Sequence, residues 1–237
     1  MTQHFDAPSL DVPRSGTALP PGSDVGWYGL ARWVVFPSRE AKADYMSRAA
    51  VRDASDPMVQ SWAKQFVGLP RPEREEAILR MVQWGLRYER DPHWYDEDGV
   101  RHGIELLDSA AVGLQRGYGD CDLKARLFVA LCRAAGIDAR IDPVFRGIDG
   151  FPHVRARVLG VDGRWRVADP TIVNSTIGKL PVKPLVAFPR EDESAGLGSL
   201  SGAELLALDR VDRGGPLTDC DERGARWAEM RRRGLTP

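Results

Sequence analysis

Residues 116–135, RGYGDCDLKARLFVALCRAA, decide the reading of this chain, because there a glycine-bearing turn gives way to a helical apolar pattern with a cysteine at the junction. Leu123, Leu127, Leu131 and Ala134 or Ala135 recur at three- and four-residue steps from Cys121, and Gly136 supplies a stop. The spacing predicts a helix that begins at or just before Cys121. A thiol in a first helical turn feels the positive end of the dipole and unpaired amide donors, both of which favour thiolate. Its own amide points toward any oxyanion forming on an attacked carbonyl. Gly117 and Gly119 are expected to turn the backbone tightly and to leave room for substrate beside the sulfur. Taken alone, a single cysteine in this position reads as a small apolar residue at the edge of a core.

A base tips the balance. Of the four histidines, His4 precedes any periodic pattern, and His93 and His102 sit in the aspartate-rich stretch RDPHWYDEDGVRHG. His153 opens a strand pattern, HVRARVL, that reads as a hairpin with GRWRVAD across VDG. A hairpin centred on Val161 sets His153 directly opposite Asp169, with Cβ atoms about 5 Å apart. A one-residue slip of either strand would turn one partner to the other face. In that register Asp169 fixes the tautomer of His153 and stabilises its imidazolium. Cys121, His153 and Asp169 are then candidates for nucleophile, base and orienting acid.

The rest of the chain is compatible with one sizeable core. Its 237 residues, 43% hydrophobic and 28% charged, need no disulfide or metal to fold, and a net charge of -1 gives no global reason to seek nucleic acid or membrane. No basic start leads into an apolar stretch, and no run approaches the roughly 18 apolar residues of a spanning helix, so the expected location is cytoplasmic. Cys121, Cys132 and Cys220 match no zinc spacing. Cys132 reads as core, about 16 Å from Cys121 along the same helix, and Cys220 as a thiol in a polar tail.

WYGLARWVVFP has strand character, with a helical segment after it. DPMVQSWAKQFVG predicts a helix capped by Asp56, with Pro57 first and Val59, Trp62, Ala63, Phe66 and Val67 inward. PEREEAILRMVQWGLRY predicts another, with Ile78, Met81, Val82 and Gly85 inward. ARIDPVF adds a strand. WYDEDGVRHGIE offers Asp96, Asp98, Gly99 and Glu105 at calcium-loop spacing, but Trp94 stands at the first ligand position, so the stretch reads as a solvated loop. The arginine-rich end RWAEMRRRG reads as a solvated helix end.

Three stretches in order, GYGDCDLKARLFVALCRAAGIDAR, PHVRARV and GRWRVADPT, resemble the catalytic core of the transglutaminase-like superfamily, a papain-like group of cysteine acyl-transfer enzymes and their relatives. The resemblance covers roughly residues 56–173. It implies an α+β fold with helices packed on a small antiparallel sheet. By composition, residues 1–24, rich in Pro, Ser, Gly and Asp, read as a loose arm, 25–189 as the domain, and 190–237 as a polar extension with possible short helices. The resemblance also implies Cys121 as nucleophile, His153 as general base and acid, and Asp169 as the residue that orients the imidazole. Relatives often add a side-chain oxyanion donor upstream of the cysteine, for which Trp84, Tyr88, Trp94 and Tyr95 are all available. Where relatives often carry an aromatic and then an acid after the histidine, this chain has Arg155 and Arg157, which point to an acidic or carboxylate-bearing acyl donor.

The expected activity is attack on an amide or ester carbonyl and transfer through a thioester. Peptide or amide hydrolysis comes first and protein-glutamine cross-linking second, with a non-catalytic module of the same fold as the alternative. No cofactor or metal is required. The expected partner is a protein or peptide substrate, rather than nucleic acid or membrane.

Overall fold

In the computed structural model, which describes residues 9–11, 17–28, 31–37, 39–89, 93–95, 101–103, 105–144 and 153–181, the helix that starts at Cys121 is the axis of the fold. The chain opens with strands β1 (Ser9–Asp11), β2 (Asp24–Tyr28) and β3 (Ala31–Val35), then helices α1 (Arg39–Asp53), α2 (Pro57–Ala63) and α3 (Arg71–Gly85). Short strands follow, β4 (Arg87–Tyr88), β5 (His93–Tyr95), β6 (Arg101–Gly103) and β7 (Glu105–Leu106). Helix α4 (Ala110–Arg116), strand β8 (Tyr118–Gly119) and helix α5 (Cys121–Ala134) lead to the sheet strands β9 (Ala139–Val144), β10 (His153–Leu159) and β11 (Trp165–Ala168).

Among the described residues, helix α5 packs against the four other helices and against β9 and β10. Surrounded in this way, it is buried from Asp122 through Cys132, not only along the stripe that its leucine spacing predicts. Its charged residues therefore need interior partners. Lys124 Nζ donates to the carbonyls of Gln83 at 3.1 Å and Leu86 at 2.6 Å, closing the end of α3 where carbonyls lack helical donors. Arg126 holds both oxygens of Asp53, at 2.7 and 3.1 Å, and Asp53 Oδ2 also accepts the Ala110 amide at 2.8 Å. These bonds tie α5 to the ends of α1, α3 and α4.

The local helix signals act as chemistry dictates. Asp56 Oδ1 accepts the Met58 amide at 2.8 Å, Pro57 opens α2, and Val59, Ala63 and Phe66 are buried. Val67 is 48% exposed, because α2 stops at Ala63 and the helical spacing lapses in the turns that follow. In α3, Ile78, Met81 and Val82 are buried as expected. Helix α4 was not anticipated by periodicity. Ser109 caps it by accepting the Val112 amide at 3.4 Å, and Gly117 ends it at a φ of 76°.

The strand-like stretch near residue 30 forms the antiparallel pair β2–β3, in a sheet ordered β2-β3-β1-β7. Strand β1 lies inside the stretch expected as an arm, yet it pairs with β3 and β7, so Ser9–Asp11 belongs to the fold. The aspartate-rich stretch contributes the pair β5–β6. Positions 96–100 of the calcium-like stretch, His4, Cys220, the extension 190–237 and RWAEMRRRG lie outside the described residues. Among the described residues no helix is long and apolar enough to cross a membrane.

The antiparallel sheet β11-β10-β9 lies against α5, with Ala156, Val158, Ala168, Ala139 and Ile141 turned into the core. Its hairpin is centred one residue later than expected. Leu159 pairs with Trp165 and Ala156 with Ala168, which puts Asp162 at the centre. The Gly160 amide donates to the Arg164 carbonyl at 2.9 Å, and Gly163 takes a φ of 72°, a three-residue loop with glycine in its left-handed position.

Candidate active site

Cys121 is the first residue of α5, capped by Asp120, whose Oδ1 accepts the Leu123 amide at 3.4 Å. At this position the Cys121 amide stands outside the intrahelical ladder. The approach to the cysteine is fixed by β8, which runs parallel to β4 with Tyr88 beside Gly119. The Arg87 amide donates to Gly117 O at 2.9 Å and the Glu89 amide to Gly119 O at 3.0 Å. The space that Gly119 leaves is taken by the protein itself rather than by substrate. A Cβ there would collide with Leu123 Cδ2, so this glycine permits the turn to close on the helix.

The corrected hairpin changes how His153 and Asp169 meet. Continuing its register sets Arg155 opposite Asp169, one residue beyond the end of β11, and leaves His153 diagonal to it. Moving the hairpin centre by one residue shifts the pairing by two, so both side chains stay on one face, and a diagonal neighbour lies within reach of a long side chain. His153 Nε2 is 2.7 Å from Asp169 Oδ2. Asp169 is only 1% exposed against 27% for His153, so the imidazole takes the place of water at the carboxylate.

Asp169 is held from behind by groups that sequence reasoning missed. Its Oδ1 accepts the Thr171 amide at 3.0 Å, an Asx turn that Asp-Pro-Thr could have announced. Gln83 Nε2 donates to the carbonyls of Asp169 at 3.2 Å and Ile172 at 2.7 Å and to Ser175 Oγ at 3.0 Å. Ser175 Oγ in turn donates to Asp169 O at 2.8 Å. A glutamine inside an amphipathic helix carries no local mark of that role.

The start of α5 lies against β10, where the amide of Val154, the residue after His153, donates to the Cys121 sulfur. The electrostatics of the thiol run against the expectation from the helix mouth. Burial pushes Cys121 well above the usual thiol range, Asp120 and Asp122 push it further, the Val154 amide pulls it down, and Asp169 raises it. Cys121 keeps some accessible surface, but the surrounding protein removes the hydration that a thiolate needs. Both flanking acids were in the stretch that announced the site. Asp122 is 3% exposed and its Oδ1 has no hydrogen-bond partner. Its charge also helps to raise Asp108, after the larger effect of burial.

Asp120, Cys121 and Asp122 hold their donor atoms within 4.8 Å of one another. They are the group among the described residues with which a metal ion could be held, but consecutive residues of one turn offer donors from one side only. Of the aromatic candidates for an oxyanion donor, the described side chains are Trp84, on the last turn of α3, and Tyr88, beside Gly119. Trp84 Nε1 is buried without a hydrogen-bond partner. Trp94 and Tyr95 lie on β5, and their side chains are outside the described set. Cys132 is fully buried in the core.

Residues 60–170 match a family profile described as Transglutaminase-like superfamily. Among solved structures, the chain is similar to the periplasmic domain of TgpA from Pseudomonas aeruginosa bound to ethylmercury. That likeness has 20% identity and a TM-score of 0.36 and covers 60% of this chain and 55% of the other. It is also similar to a "putative cysteine protease" from Cytophaga hutchinsonii, at 16% identity and a TM-score of 0.38, over 70% of this chain and 65% of that one. A "putative protease" from Parabacteroides distasonis matches at 14% identity and a TM-score of 0.43, over 72% of this chain and 38% of that one. The chain thus spans less than two thirds of each structure. No curated protein matches the chain.

Proposed function

We propose, from the premise that this chain carries a transglutaminase-like superfamily domain at residues 60–170, that it is a cysteine-dependent acyl-transfer enzyme acting on amide bonds of a protein or peptide, with water as the first-choice acceptor. The observation that carries the reading is the 2.7 Å bond between His153 Nε2 and the buried Asp169 carboxylate, in a chain whose helix α5 starts at a cysteine.

With Nε2–H donating to Asp169, Nδ1 is the basic nitrogen of the neutral imidazole and the one that serves the thiol. Because the Cys121 thiol is pushed up, it rests protonated, and its proton passes to Nδ1 as the sulfur attacks the carbonyl carbon. The C=O electron pair becomes an oxyanion. The Cys121 amide is the donor assigned to it, and the buried, unpartnered Trp84 indole N–H is the candidate for a second. As the C–N bond breaks, the imidazolium returns the proton to the leaving amine and a thioester remains. Water then gives its proton to His153 and its oxygen to the acyl carbon, and the thiol leaves reprotonated. Asp169 stays a hydrogen-bond acceptor throughout and stabilises the imidazolium.

A second reading, a binding module that keeps the fold without turnover, is favoured by the same acids that oppose a thiolate at Cys121. Incubation of the intact chain with a broad peptide library, with and without a primary amine, separates the readings by mass. Cleavage or deamidation that is lost in Cys121→Ala is the expected result. Amine incorporation redirects the reading to cross-linking, and an unchanged library with folded protein refutes turnover.

A further inference from the structure

Strand β10 sends Ala156 and Val158 into the core, so the alternate residues His153, Arg155 and Arg157 share its other face in steps of about 7 Å. Beyond His153 this row runs into an open groove of about 690 Å³. Arg155, Arg157, Trp165 and Val167 form its floor, and Arg164, Arg166 and Lys179 stand around it.

The groove holds more positive charge than its own acids can match. Asp142 is shared between Arg155 at 2.7 Å and Arg157 at 3.0 Å, and Asp162 pairs with Arg166 at 3.2 Å. One carboxylate between two guanidiniums saturates neither. The buried Arg157 Nε makes no hydrogen bond despite its nearness to Asp142. Among the described residues, the side chains of Arg164 and Lys179 have no acidic partner, and both residues are exposed. Guanidiniums in this state select carboxylates, which they bind through paired N–H groups. A nucleic acid is less well served, because the Arg140 guanidinium already covers one face of the Trp165 ring at 4.2 Å.

We propose that this groove holds an extended acidic segment of the acyl-donor substrate. An extended peptide advances about 3.3 Å per residue, so side chains two apart match the spacing of the row. The acids are therefore expected about two and four residues from the carbonyl attacked by Cys121, on one flank. This inference rests on the acyl-transfer reading of Cys121 and names its substrate class.

The test uses the intact chain carrying Cys121→Ala, so that binding is read without turnover. Fluorescence anisotropy compares a labelled ten-residue peptide with Glu at alternate positions, its Gln counterpart, and oligothymidylate as competitor. The Glu peptide is expected to bind at least about tenfold more tightly at low salt, with the gap closing as salt rises. Arg157→Gln should narrow the gap about threefold or more. Arg164→Gln and Lys179→Gln, at exposed positions without ion pairs, should each narrow it with folding intact. Equal binding of the two peptides, or displacement by oligothymidylate at lower concentration than by unlabelled Glu peptide, overturns the proposal. Selective binding with no acylation of wild-type Cys121 removes the enzyme reading and leaves the groove standing. Equal turnover of both peptides, unchanged by Arg157→Gln, does the reverse.

Discussion

Replacing Asp122 by Asn removes a buried negative charge next to Cys121 while keeping side-chain volume, and Asp120→Asn does the same at the half-buried cap. The donor atoms of Asp120, Cys121 and Asp122 lie within 4.8 Å of one another. At that separation two unit charges interact by about 0.9 kcal/mol in bulk water and about 3.5 kcal/mol at an effective dielectric of about 20. Asp120 does more than Asp122 to raise the thiol, and both effects fall between these limits. Both carboxylates raise the thiol, so either removal favours thiolate. At pH 7 the thiolate fraction should rise by between about 4-fold and about 300-fold in each variant, more in Asp120→Asn than in Asp122→Asn. A less basic thiolate is also a weaker nucleophile. With a slope of about 0.45, the rate of reaction with a small aromatic disulfide should rise by between about 2-fold and about 25-fold, again more in Asp120→Asn. The assay follows release of the coloured thiol under pseudo-first-order conditions, with Cys121→Ala run in parallel to subtract the other cysteines. Asn is as good a cap as Asp, so Asp120→Asn should leave the melting temperature near wild type. If both variants fold and react at the wild-type rate or slower, the account of the thiol's environment is wrong.

Asp169→Asn keeps the shape of the buried group and an acceptor for the Thr171 amide but disturbs the imidazole tautomer, so kcat on any cleaved peptide should fall about 10²- to 10⁴-fold with little change in KM. Gly119→Ala should destabilise by about 1–3 kcal/mol, because its Cβ meets Leu123 Cδ2, and Leu123→Ala in the same chain should cost less than the two single changes added together, read by urea titration. Burial, followed by Glu75, holds Cys132 protonated. The unfolded chain loses that proton above about pH 8.5 while the folded chain keeps it, so stability should fall as pH rises beyond that point, by about 1.4 kcal/mol per pH unit. Cys132→Ala should remove that part of the slope in denaturation measured between pH 8 and 10.

What the sequence made legible was local. The Asp56 cap, the start of α5 at Cys121 and the inward residues of α3 follow from spacing and capping chemistry within a few residues. The face shared by His153 and Asp169 was also legible, because strand alternation survives a two-residue shift in pairing. The register itself was not, since it depends on Gly163 taking the left-handed position of a three-residue loop, and VDG permits more than one turn. The contacts that hold the site lay further beyond reach. Gln83 meets Asp169 across 86 residues, Arg126 meets Asp53 across 73, and Lys124 meets Leu86 across 38. No periodicity encodes such partners, and polar residues on a helix ordinarily read as solvent-facing. The flanking acids teach a different point. Asp120 and Asp122 were in view from the start, but whether they or the helix dipole govern the thiol depends on burial, which spacing does not give.

The central claim, that Cys121 accepts an acyl group with His153 moving the proton, is tested most directly by mass spectrometry of the intact chain mixed with a small activated ester and quenched in acid. The account predicts one acyl adduct that maps to Cys121, is released by hydroxylamine as a thioester, is absent in Cys121→Ala, and forms much more slowly in His153→Ala. An adduct that persists in Cys121→Ala, or forms equally fast without His153, contradicts it.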